Sequence, residues 1–113
     1  MKEMKPQYTY RATVEKVVDG DTVDLLIDCG FNIIRKERIR FYGVDAWEVR
    51  GEEREQGLEA KAFVLEHCPV GSEVVVVTGK EKGKFGRYLG EIFINNKSLN
   101  NLLLENGHAE VYR

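Results

Sequence analysis

The chain has 113 residues, of which 42% are apolar and 32% charged, and a formal net charge of −2. That length supports one core, because a domain this small buries only about 65% of its unfolded surface, and the composition excludes a fibrous or disordered chain. Two cysteines, Cys29 and Cys68, and two histidines, His67 and His108, share no zinc-site spacing, which leaves zinc-finger, two-histidine and Ser-His-Asp chemistry without support.

From the N-terminus, 1–7 reads as a tail and 8–113 as one domain. Segments 8–18 and 22–28 are rich in β-branched residues and are split by Asp19-Gly20-Asp21, so they form a hairpin. In 33–44 the alternation puts Ile39 and Phe41 on one strand face and Arg38 and Arg40 on the other. The segment 52–67 reads as a helix burying Leu58, Ala62 and Leu65, with Phe63 beside them, ended by Pro69 to Gly71. Four consecutive valines in 73–78 predict a buried strand, with 88–94 as its partner across a basic loop over 79–86. Asn95-Asn96 predicts a turn, and Ser98 caps a short helix through Leu99, Leu102 and Leu103 that closes at Gly107.

Five strands with two interspersed helices predict a small β-barrel, α+β by content. No apolar run approaches the roughly 20 residues of a membrane helix, and 1–10 lacks the apolar stretch of a secretory signal. The expectation is therefore a cytoplasmic monomer with no membrane partner, a secreted mature form being the alternative. The cysteines are expected to be free thiols.

A negative net charge suits a polyanion-binding protein poorly unless cations are gathered locally. Two clusters do so: Arg35, Lys36, Arg38 and Arg40, and Lys80, Lys82, Lys84 and Arg87. Either cluster alone reads by default as a solvated strand face or a lysine-rich loop.

Four segments carry chemistry: Val18-Asp19-Gly20-Asp21-Thr22, the run from Arg40 to Asp45, Asp45-Ala46-Trp47-Glu48, and Lys84-Phe85-Gly86-Arg87. In order and spacing they resemble the staphylococcal nuclease family, and the resemblance extends through Gly57 to Phe63 and Asn106-Gly107. It implies a five-stranded OB-fold whose outer surface binds one calcium ion (Ca2+) and hydrolyses DNA and RNA, single-stranded for preference, leaving 3′-phosphate ends. The C-terminal helix of fuller members has no counterpart after Tyr112-Arg113.

Residue by residue, the resemblance makes Asp21 and Asp45 calcium ligands and the Ala46 carbonyl a third, oxygen donors suited to a hard cation. Glu48 would prepare the attacking water, while Arg40 and Arg87 would hold the scissile phosphate through bidentate guanidinium contacts. Lys84 and Phe85 would contact a terminal phosphate and nucleoside, Phe85 lacking the hydroxyl of the usual tyrosine. Asp19 either orients a ligand or water or simply forms the turn, and Arg38 is a surface cation. Trp47 replaces a usual proline, so either the turn before Glu48 is less rigid or the indole is a base-stacking surface or a packed lid, and the charged 49–55 segment departs from the family loop. A non-catalytic OB-fold nucleic-acid-binding module is the competing reading, and it would dispense with the acids.

Overall fold

The computed structural model describes residues 8–49, 51–80, 82–83 and 86–112. The first expected hairpin forms from β1 (Thr9–Asp19) and β2 (Thr22–Asp28), and β2 pairs in turn with β3 (Ile34–Phe41). Strict alternation along β1 would bury Lys16 after Ala12 and Val14. A register shift between Val14 and Lys16 changes the parity, so Val17 turns inward instead, which is what a β-bulge does.

After β3 come the short β4 (Val44–Ala46), a 3-10 turn over Gly51–Glu53, helix α1 (Arg54–His67) and β5 (Glu73–Thr78). Strand β6 (Tyr88–Ile94), β7 (Lys97–Ser98), helix α2 (Leu99–Glu105) and β8 (Ala109–Val111) complete the described chain. The large sheet runs β3-β2-β1-β5-β6-β7, and a parallel pairing of β3 with β6 closes five of these strands into a barrel. This is the expected five-stranded OB-fold with two helices. The short β4 and β8, unforeseen in the sequence, pair with each other outside the barrel.

Leu25, Ile39, Phe41, Val76 and Ile92 fill the barrel, and Val64, Leu99 and Leu103 extend the same core beneath the helices. Closure needs Gly90, because a Cβ there would lie 2.9 Å from the Ile39 side chain and 3.2 Å from that of Val76. Ser98 caps α2 as expected, its hydroxyl accepting from the Asn101 N–H at 3.3 Å. Asn95 and Asn96 make the turn with left-handed φ values of 50° and 67°, a region that asparagine tolerates better than most residues.

Two expectations about burial are corrected. The buried face of α1 is Gly57, Ala60 and Val64, whereas Leu58 and Leu65 are 42% and 37% exposed. Helical period alone did not choose the face; close approach did, because at Gly57 and Ala60 the helix lies against the Glu48 backbone and Gly20 with no room for a longer side chain. In β5 only Val74 and Val76 are buried, and Val75 and Val77 face outward, so one face of the strand packs on the core and the other meets solvent.

Candidate active site

The β1–β2 turn, the end of β3, β4 with the residues after it, and the approach to β6 converge on one outer wall of the barrel. Thr22 pairs with Arg40 across β2 and β3, and the Phe41 N–H donates to the Asp21 carbonyl at 2.7 Å, which sets the turn beside the strand end. Barrel closure does the rest: Arg40 pairs with Leu89, bringing β6 and the preceding Arg87 alongside β3. Asp19, Asp21, Arg40, Asp45, Ala46, Trp47, Glu48 and Arg87 thereby line one open pocket of about 470 Å³, together with Val18 and Val49. Lys84 and Phe85 lie outside the described residues.

Asp21 is fixed at both oxygens. Thr22 Oγ1 donates to Oδ1 at 2.9 Å and the Ala46 N–H donates to Oδ2 at 3.0 Å. Arg40 is fixed as firmly: Nη1 donates to the carbonyls of Phe41 at 2.9 Å and Val44 at 2.6 Å, while Nη2 lies 3.2 Å from Asp45 Oδ1 and 3.6 Å from Asp21 Oδ2. The Tyr112 ring covers the same guanidinium, 5.5 Å from its carbon to the ring centre. Asp45 and Glu48 are exposed, and Arg87 is half-buried. Arg38, by contrast, forms a bidentate pair with the buried Asp24 at 2.8 and 3.1 Å, outside the pocket.

One nitrogen of Arg40 reaches both Asp21 and Asp45, so the two carboxylates already converge about a positive charge. That donor set fits a hard divalent cation, with the Ala46 backbone beside it. Among the described residues no three histidine, cysteine or acidic side chains gather as a metal cluster. A cation with six to eight oxygen ligands would therefore draw the remainder from backbone and water.

Three features of the site escaped the sequence reading. Gly57 packs directly on the Glu48 carbonyl, and a Cβ on Gly20 would lie 2.6 Å from Ala60 Cβ, so α1 buttresses both the hairpin turn and the Glu48 segment. Buried Asn100 donates to the carbonyls of Tyr42 at 2.9 Å and Gly90 at 3.2 Å and accepts from the Ile92 N–H at 3.1 Å, tying the loop after β3 to β6. Its signal was an amide beside Leu99 on the apolar side of a short helix. Tyr112 arrives through the β4–β8 pairing, which nothing in a three-residue strand announces. Trp47 is half-buried on the pocket wall, its indole Nε1 donating to the Gly107 carbonyl at 3.4 Å.

Residues 38–113, which hold Arg40, Asp45, Glu48 and Arg87 of the pocket, match the family described as staphylococcal nuclease homologue. The chain belongs to that family. Among its relatives, the rice protein named probable staphylococcal-like nuclease CAN2 is 30% identical over 88% of this chain, and the match spans 29% of the rice protein. Endonuclease YhcR of Bacillus subtilis is 31% identical over 91% of this chain and 9% of its own length. Protein ParB of Escherichia coli is 29% identical over 91% of this chain and 58% of its own. The chain thus corresponds to a part of these larger proteins. No helix among the described residues is long and apolar enough to cross a membrane.

Proposed function

We propose that this chain is a calcium-dependent phosphodiesterase acting on DNA and RNA, single-stranded for preference. The observation that carries the reading is the convergence of Asp21, Asp45, Glu48, Arg40 and Arg87 on one open pocket. Asp21, Asp45 and the Ala46 carbonyl are the groups to hold the ion, which when bound supplies Lewis-acid charge and a template for the phosphate. Glu48, exposed on the pocket wall, orients or deprotonates the attacking water. Arg40 and Arg87 hold the phosphate oxygens as charge develops on them, a task suited to planar, permanently charged forks. Asp19 supports the metal side of the pocket, Lys84 and Phe85 engage the neighbouring nucleotide, and cleavage leaves 3′-phosphate ends.

The test is cleavage of single-stranded DNA by purified protein in calcium or in chelator, beside Glu48→Gln. Cleavage that needs calcium and falls on substitution is expected. Binding without metal-dependent cleavage would instead identify a nucleic-acid-binding module.

A further inference from the structure

At the opposite end of β3 from Arg40 the barrel opens into a second cavity of about 180 Å³. Arg35, Glu37 and Ile39 share one face of β3 by the two-residue period, and only Ile39 is buried, so the interior widens toward solvent here. The walls include three half-buried tyrosines, Tyr8, Tyr10 and Tyr88, the last two packed against the core. The volume is below the roughly 300 Å³ of a drug-sized site, which limits an occupant to about one planar ring.

The rim is positive. Glu37, with a side chain 12% exposed, receives Arg35 at 2.7 Å and Lys82 at 4.0 Å, both of which remain at least half exposed. Lys82 also lies 5.8 Å from the centre of the Tyr88 ring, and Lys80 stands on the cavity wall. One carboxylate thus anchors two cations without cancelling them, and the two basic clusters read separately in the sequence meet across this opening. Aromatic faces under a cationic rim are the components that hold single-stranded nucleic acid without sequence preference. Arg35 stands about 17 Å along β3 from Arg40 at the usual rise per residue and on the opposite face of the strand, so a substrate strand joining the two sites turns round the end of β3.

We propose that this opening is a second nucleotide subsite, in which Tyr10 and Tyr88 enclose one base while Arg35 and Lys80 pair with flanking phosphates. The idea rests on the nuclease reading for its substrate class, and its test is independent of cleavage. Protein carrying 3-fluorotyrosine is titrated in chelator with a short oligothymidylate and followed by fluorine NMR, with resonances assigned by single Tyr→Phe variants. The Tyr10 and Tyr88 signals are expected to shift with the oligonucleotide and to stay in place with thymidylyl-thymidine, whose one phosphate spans only the active pocket. An Arg35→Ala/Lys80→Ala variant, altered only at solvent-exposed positions, should bind the oligonucleotide about tenfold more weakly, the scale of lost charge-assisted contacts. Unmoved Tyr10 and Tyr88 signals overturn the subsite even if the protein cleaves DNA. Shifts in a protein that does not cleave establish the subsite and overturn the nuclease reading instead.

Discussion

Glu48 projects from the pocket wall while its own carbonyl is pressed by Gly57, so its backbone is fixed and its carboxylate exposed. Replacing that carboxylate by an amide keeps the shape and removes the group proposed to orient or deprotonate the water. Glu48→Gln should therefore lower the cleavage rate by about 10²- to 10⁴-fold at an unchanged melting temperature, as measured by initial rates beside thermal unfolding. Arg40 poses a different question, because its orientation depends on Tyr112 as well as on two carbonyls and two carboxylates. Tyr112→Ala removes a cation–π contact of about 0.5–1 kcal/mol and should weaken substrate binding a few-fold with kcat reduced no more than KM is raised. Steady-state kinetics on a defined oligonucleotide separates the two effects. The spacing of Asp21, Arg40, Asp45, Glu48 and Arg87 was legible because each lies in a short motif. Tyr112 and Asn100 were not, since their partners are set by β4–β8 pairing and by the packing of α2, contacts across most of the chain.

Among the elements, α1 teaches the most. Its extent was readable from periodicity, but the face it buries is turned about one residue round the helix from the one expected, because leucine at helical spacing names a face only where the partner surface has room for leucine. Here the partner is the backbone of the β1–β2 turn and of the Glu48 segment, and Gly57 and Ala60 are what fits. Gly57→Ala should destabilise the fold by about 1–3 kcal/mol, the usual cost of overpacking, and should depress cleavage further by moving Glu48. Denaturant unfolding together with kinetics on the folded fraction checks both parts. The hairpin between β2 and β3 behaves in the opposite way. Phe31 is 95% exposed at a φ of 56°, a left-handed conformation that costs a side-chain-bearing residue about 1–2 kcal/mol. Phe31→Gly relieves that strain against a larger unfolded-state entropy, so a net gain near 0.5–1 kcal/mol is expected in the same unfolding measurement.

For the molecule as a whole, barrel closure is what turns two unremarkable basic runs into one functional face, since the parallel β3–β6 pairing sets Arg40 beside the strand that follows Arg87. The hairpin pairings and the five-stranded barrel could be anticipated from the sequence; the outward faces of β5 could not, because four consecutive valines hide the alternation, nor could the small β4–β8 sheet, because three-residue strands carry no period to read. Stability should follow pH through Asp24, whose carboxyl is held below its ordinary value of 3.8 chiefly by the hydrogen bond from Arg38, against the opposing effect of burial. A carboxyl depressed in the folded state stabilises above its unfolded value, and that contribution is lost as pH falls through the folded value. Asp24→Asn should thus lower the melting temperature at neutral pH, with the gap to the unsubstituted protein narrowing as the pH drops below about 3.8. The expected cation acts on the same scale. Calcium at a hundredfold excess over its dissociation constant should add about 2.7 kcal/mol of stability, and Asp21→Asn or Asp45→Asn should abolish the increment whatever each does to the baseline.

The decisive observation is the chemistry of the ends formed from a defined single-stranded oligonucleotide, read by mass spectrometry after incubation in calcium and in chelator. Fragments bearing 3′-phosphate and 5′-hydroxyl ends, present in calcium and absent in chelator, are the expected result. An oligonucleotide left intact in calcium, or the same fragments formed in chelator, would mean that the Asp21–Asp45–Glu48 pocket is not the calcium-dependent phosphodiesterase site described above.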